Sequence, residues 1–412
     1  MPIHSARVRP FGAERPLMFA YYGTRGALPK LTLDLAREAS GRWNNACTFS
    51  LATSNELYDE FSFMQDNLFA VNTFASPQQW QSITCVQRVK SLCADLSERV
   101  ANDKTRAIVS LMPHVWSPFL LPCIRRAGIN LVSIIHDADP HPGDRHRWVH
   151  RWLLREAVAA DQVITLSRAV SRRLIARGIP EQKISVLFHP DLDYGHFRSR
   201  ENPHEPLRVL FLGRILPYKG LALFVDALDC LRASGMPVKA GVFGQGKIKA
   251  GLRLRLSALE AEVENRWLTH QEFAAVLSRY DLVVAAHTEA SQSGVIAAAF
   301  GAGLPVVTTP VGGLVEQVTH GVTGMIAASA SAHAIADAIR MIAHDKSLLG
   351  RLRHGVRATH PERSTARFFD KLCDIALRPV PPRHSEAHVQ YATMLSGRKE
   401  MAGLQTFLHP SF

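Results

Sequence analysis

The sequence predicts an α/β protein of two doubly wound domains, and three observations carry that expectation. Short apolar runs such as Leu17–Tyr22, Leu131–Ile135, Val209–Leu212 and Leu282–Ala286 read as buried parallel strands. Helical patterns alternate with them, as crossover helices covering both faces of a parallel sheet must. The alternation breaks at the polar, proline-punctuated stretch Arg198–Pro206 and then restarts, and 412 residues exceed what one ordinary core organises. The expected boundaries are 1–197 for the first domain, 198–206 for a linker, 207–378 for the second domain and 379–412 for a mobile tail. The last helix, Ser364–Ala376, is placed to pack back on the first domain.

Composition narrows the class. Hydrophobic residues at 47% and charged residues at 20% describe a globular chain, not a disordered one. No apolar run reaches the roughly 18 residues of a membrane span, and the start Met1-Pro-Ile-His lacks a signal-peptide core, so a cytoplasmic location is expected. Six scattered cysteines without a Cys-x-x-Cys pair argue against a zinc site or a disulfide framework. The net charge is +12, and residues 1–190 carry 23 Lys and Arg against 16 Asp and Glu, whereas 201–380 carry 20 against 16. Such a surplus suits anionic partners without choosing among nucleotide phosphates, acidic lipid and nucleic acid. Dispersed charges and no aromatic-basic repeat disfavour nucleic acid.

Taken in order, the strand Leu17–Tyr22 feeds the loop Gly23-Thr-Arg-Gly26 and a helix over Leu28–Ala39. Strands follow at Thr48–Ala52 and Leu68–Asn72, separated by an irregular piece, and then a long helix over 77–102. The strand Ala107–Met112 and a helix over Ser117–Ala127 lead to Leu131–Ile135, which delivers the loop His136-Asp-Ala-Asp-Pro-His-Pro-Gly143. A basic helix, Arg145–Ala159, carries Trp148 and Trp152. Its aromatic spacing suits either an anionic membrane surface or a core-facing stripe. The strands Val163–Leu166 and Ile184–Leu187 close the first half; the second restarts with Val209–Leu212, a helix over Leu221–Ser234 and the strand Val238–Phe243.

Three stretches carry candidate chemistry. In Gly213-Arg-Ile-Leu-Pro-Tyr-Lys-Gly220 a guanidinium and an ammonium leave a strand end together, an arrangement suited to clamping a diphosphate. In Ser291-Gln-Ser-Gly294 small polar residues introduce the helical run Val295–Ala302, so the amides of Ser293, Gly294 and Val295 offer an anion site. Next come the strand Val306–Thr309, the pair Gly312-Gly313 and a helix carrying Glu316. His136 stands at the C-terminal end of a strand, where open α/β sheets hold their active residues. Asp137-Ala-Asp139 has a spelling compatible with a divalent metal, or with loop and helix capping between Pro140 and Pro142. Capping is the expectation, with no metal.

Together, Phe211–Gly220, Val242-Phe-Gly-Gln-Gly246, Tyr280-Asp-Leu-Val-Val284 and the block Glu289–Gly324 resemble the GT-B glycosyltransferases of family 4 in order and spacing. The first domain is similar through Gly23–Gly26, His136-Asp137 and Val163–Ser167, and within the family the chain looks most like bacterial enzymes that build exopolysaccharide or envelope glycans. The resemblance implies two Rossmann-like domains and a retaining transfer of sugar from a nucleotide-diphosphate donor to a glycan, expected to be lipid-linked at the inner face of the cytoplasmic membrane, without cofactor or metal. It implies that Arg214 and Lys219 stabilise the departing diphosphate, with Gly213 in their loop. Ser293, Gly294 and Val295, flanked by Gln292, hold the distal phosphate, and His136 faces the donor sugar. Gly23 and Gly26 lie near the phosphates and the acceptor.

The resemblance also meets a departure. The family usually places two glutamates eight apart, the second on the nucleotide ribose, but eight residues after Glu289 stands Ala297, followed by Ala298 and Ala299. The usual first glutamate falls at Ala290, so Glu289 is one residue out of register, and Glu289 and Glu316 are left as the carboxylates to take over polar contacts. A catalytically silent scaffold or regulatory subunit is the alternative this departure raises. Other nucleotide-sugar chemistry, such as epimerisation, would need an acid/base pair that the sequence does not reveal.

Overall fold

The computed structural model describes residues 14–43, 46–73, 83–140, 147–195 and 205–379. Much of the linker, most of the tail, the end of the His136–Gly143 loop and the start of the basic helix lie outside these residues. The described residues fall into two compact units, one drawn from residues 1–135, 151–164 and 371–412 and one from residues 136–150 and 165–370.

In the first half, β1 (Leu17–Tyr21) leads through the glycine loop to α1 (Ala27–Arg42), then β2 (Cys47–Ala52) and β3 (Leu68–Val71). The piece expected to be irregular between β2 and β3 coils instead into 3-10 turns over Tyr58–Asn67, broken by a kink at Gln65 and anchored by the buried Phe61 and Met64. Next come α2 (Ile83–Asn102), β4 (Ala107–Ser110), α3 (Ser117–Arg126), β5 (Asn130–Ile135), α4 (Arg147–Ala159), β6 (Gln162–Thr165), α5 (Arg168–Ala176) and β7 (Ile184–Val186). The strands form one sheet in the order β3-β2-β1-β4-β5-β6-β7. β1 pairs in parallel with both β2 and β4, and all five of its residues are buried, as expected of a strand covered on both faces.

The second half repeats the architecture. Its strands are β8 (Leu207–Leu212), β9 (Val238–Phe243), β10 (Glu262–Glu264), β11 (Leu282–Ala285), β12 (Val306–Thr308) and β13 (Gly324–Ile326), in the sheet order β10-β9-β8-β11-β12-β13. Between them run α6 (Leu221–Ala233), α7 (Ala250–Ala258), α8 (His270–Ser278), α9 (Gly294–Gly301) and α10 (Leu314–Gln317), with α11 (Ala332–His344), α12 (Lys346–Ala358) and α13 (Thr365–Ala376) after β13. The order reverses between β8 and β11, the switch point at which such sheets bind ligands beyond their carboxyl ends. Phe211, Phe224, Val242, Val284 and Ile339 centre the core. An ion pair lies inside it: Arg353 meets the fully buried Asp281 at 2.8 Å, and Asp281 also accepts the Arg208 amide at 2.9 Å.

Candidate active site

The strand ends β8 and β11 bring two of the predicted stretches together. Gly213, at φ +105°, follows β8, and a Cβ there would stand 2.9 Å from the Val295 side chain, so only glycine lets this loop lie against the start of α9. Gly220, at φ +75°, closes the loop against Ala286, whose carbonyl oxygen would be 1.8 Å from a Cβ. The basic loop is thereby held between β11 and the first turn of α9, whose leading amides have no intrahelical acceptor.

Within that loop Arg214 is exposed and Lys219 half-buried. Lys219 Nζ lies 2.9 Å from His287 Nε2, a residue only 4% exposed at the end of β11, and 5.0 Å above the Tyr218 ring. The ammonium donates, so His287 accepts through a neutral ring nitrogen. Desolvation, then the neighbouring Arg214 charge, push the Lys219 ammonium down to about 8, while Asp137 opposes the shift. A cation kept poorly solvated beside a second cation is a site that gains from an arriving anion.

His136 follows β5, and its Nδ1 stands 3.1 Å from the Gln292 amide nitrogen. With the amide so oriented, Nδ1 accepts and Nε2 carries the proton. Two predicted residues, 156 positions apart, are thus hydrogen-bonded to each other. Asp139 is committed to cations: it pairs with Arg177 and lies 3.4 Å from Arg173. Arg173 also reaches Glu289 at 3.6 Å, so one guanidinium bridges the carboxylate of the His136 loop and that of Glu289. Neither Arg173 nor His287 was singled out from the sequence, because no local pattern links them to partners 34 or 68 residues away.

Two predicted contacts differ from expectation. The Ser293 amide, expected to face a phosphate, donates instead to Gln317 Oε1 at 2.7 Å, while Gln317 Nε2 donates back to the Ser293 carbonyl at 3.3 Å. The Glu316 carboxylate, expected on the nucleotide, accepts the amides of Arg168 and Ala169 at 2.7 and 2.9 Å, because the positive end of α5 offers two unpaired donors. Gly294 and Val295 remain at the head of α9 as predicted anion donors. Ala297, Ala298 and Ala299 are buried, and the Ala297 carbonyl accepts the Leu192 amide at 3.1 Å, so this side of α9 is packed with small residues.

The remaining pair, Gly23 and Gly26, belongs to the first unit. A Cβ on Gly23 would overlap the Tyr21 ring, and the Gly26 amide, at φ +113°, donates to Glu56 Oε1 at 3.0 Å. Trp152 of α4 is half-buried: its indole donates to the Val115 carbonyl at 2.8 Å, and its ring packs 5.2 Å from that of Phe119.

Comparison with known proteins places this architecture. Residues 31–190 match the profile described as Glycosyltransferase Family 4, and residues 206–345 match Glycosyl transferases group 1. The chain thus carries the paired GT-B domains of these glycosyltransferases. It is 24% identical over 220 residues to the amylovoran biosynthesis glycosyltransferase AmsK of Erwinia amylovora, covering 50% of this chain and 53% of that protein. It is 30% identical over 247 residues to the glycogen synthase of Mycobacterium tuberculosis, covering 56% and 58%. The chain therefore spans just over half the length of these relatives. Among solved structures, Anabaena Alr3699/HepE in complex with UDP superposes with a TM-score of 0.65 at 17% identity, over 87% of this chain and 98% of that one, which shows the shared fold.

Proposed function

We propose that the protein is a retaining glycosyltransferase that moves a sugar from a nucleotide-diphosphate donor to a glycan acceptor, lipid-linked, in exopolysaccharide or envelope polysaccharide assembly. The observation that carries this reading is the packing of the Arg214–Lys219 loop, through Gly213, onto the first turn of α9. It sets a loop bearing two cations against the helix start that Gly294 and Val295 open. Negative charge grows on a leaving diphosphate as the bond from the sugar carbon to the phosphate oxygen breaks. Fixed donors aimed at that charge accelerate the step without reorganising. His136, held through Nδ1, would present Nε2–H to the donor sugar, and Glu289, steered by Arg173, would approach the same sugar.

The relatives support the donor and process. The Anabaena structure contains UDP, and the Erwinia relative is named for biosynthesis of amylovoran. The matched relatives are named as enzymes, which does not favour the scaffold alternative. Among the described residues no helix is long and apolar enough to cross a membrane. Contact with a lipid-linked acceptor is therefore proposed as peripheral, at the inner face of the cytoplasmic membrane, through the basic first half. Sedimentation with vesicles of anionic lipid tests that part: binding that falls with salt supports it, and no binding at low salt removes it. For the reaction itself, release of nucleoside diphosphate from UDP- and GDP-sugars is the test. The Arg214→Ala and Lys219→Ala variants are each expected to slow release at least tenfold, since one charge-assisted bond contributes about 1.5–3 kcal/mol.

A further inference from the structure

The turn before α9 contains a serine whose two polar functions have been separated. Ser293 is the N-cap residue, yet its hydroxyl makes no capping bond, unlike Ser167 before α5 and Ser331 before α11, whose oxygens accept the amides of Val170 and Ala334. The residue is 1% exposed, and among the described residues its Oγ has no hydrogen-bond partner. Its peptide is the opposite case. The Gln317 carboxamide grips both the N–H and the C=O of Ser293, a two-point contact that fixes the orientation of that residue. Gln317 ends α10, and α10 is itself bound to the turn. The Gly313 amide donates to the Ala290 carbonyl at 3.1 Å, and Cβ atoms on Gly312 and Gly313 would stand 1.7 and 1.9 Å from the carbonyl oxygens of Ala290 and Ser291. The glycine pair, α10 and the turn therefore form one packed piece, with Gln317 as its polar fastening.

We propose that Gln317 is a positioning residue for the distal phosphate of the donor, and that Ser293 meets this phosphate through its hydroxyl and not through its amide. A buried hydroxyl left without a partner is costly, and an anion at the head of α9 supplies the acceptor. Gln317 consumes the one donor of Ser293 that would otherwise compete and holds the turn so that the hydroxyl and the Gly294 and Val295 amides converge. The inference rests on the nucleotide-sugar reading above and adds a residue on which that reading does not depend.

Calorimetric titration of the full chain with UDP and uridine, and with GDP and guanosine, separates the two. Gln317→Leu, similar in volume but without the amide, is expected to weaken the nucleoside diphosphate about tenfold and to leave the nucleoside within about twofold, and Ser293→Ala is expected to show the same split at about fivefold. If Gln317→Leu does not fold, Ser293→Ala alone decides. Where the wild type binds diphosphate, unchanged diphosphate affinity in the variants, or equal weakening of diphosphate and nucleoside, overturns the role given to these residues. A wild type that binds neither diphosphate overturns the nucleotide-sugar reading instead.

Discussion

Lys219 is the residue at which the local physics is most exposed to test. Its ammonium is pushed down to about 8 by desolvation and by Arg214, so it discharges as pH rises through that value. Affinity for a nucleoside diphosphate is expected to fall between about pH 7.5 and 9, and Lys219→Arg, charged throughout, is expected to remove the fall. Titrations at several pH values check this; a flat wild-type profile would contradict it. The sequence showed Lys219, Arg214, His136 and Gln292 as candidates because each sits at a strand end or in a glycine-framed loop. It could not show that Gln317 takes the Ser293 amide, since a side-chain clamp between residues 24 apart leaves no periodic trace. Nor could it show Arg173 between Asp139 and Glu289.

Among the elements, α5 and the crossing near Asp191 carry distinct predictions. Glu316 supplies the carboxylate for the first two amides of α5, and Ser167 supplies the next. Glu316→Ala is expected to cost about 1 kcal/mol in chemical denaturation, the contact being exposed, and to speed hydrogen exchange at Arg168 and Ala169. An unchanged exchange rate there would refute the cap. Asp191 is buried and holds His360 at 2.9 Å and Arg363 at 2.9 Å. The Asp191 hydrogen bond, partly opposed by desolvation, raises the His360 imidazolium above its usual value. Its stabilising contribution is therefore complete below about pH 6.5 and is lost as pH climbs through the raised value. Asp191→Asn should flatten that dependence in denaturation midpoints measured from pH 5 to 8.5. Elements of this kind were unevenly legible. Long apolar alternations gave the central strands, and the missed helix α8 had a readable signal in Thr269 and Glu272, which form a capping box. The short edge strand β10 had none, since only one of its three residues is apolar.

For the whole molecule, the division into two parallel-sheet halves followed from alternation and length, because a buried parallel sheet forces near-continuous apolar runs. The stability of the second half also depends on a feature no pattern reveals, the ion pair of Arg353 and Asp281 within its core. Asp281→Ala takes the paired carboxylate from a buried guanidinium and is expected to cost about 3–5 kcal/mol in denaturant unfolding. A cost below about 1 kcal/mol would show that the pair is not dry. The central claim is that the basic loop and the head of α9 together hold a nucleotide-diphosphate sugar. Calorimetric titration of the full chain with a panel of UDP- and GDP-sugars tests it most directly. The expected result is saturable binding of at least one donor that weakens at least tenfold in Lys219→Ala; no binding to any member of the panel, or binding indifferent to Lys219, would contradict it.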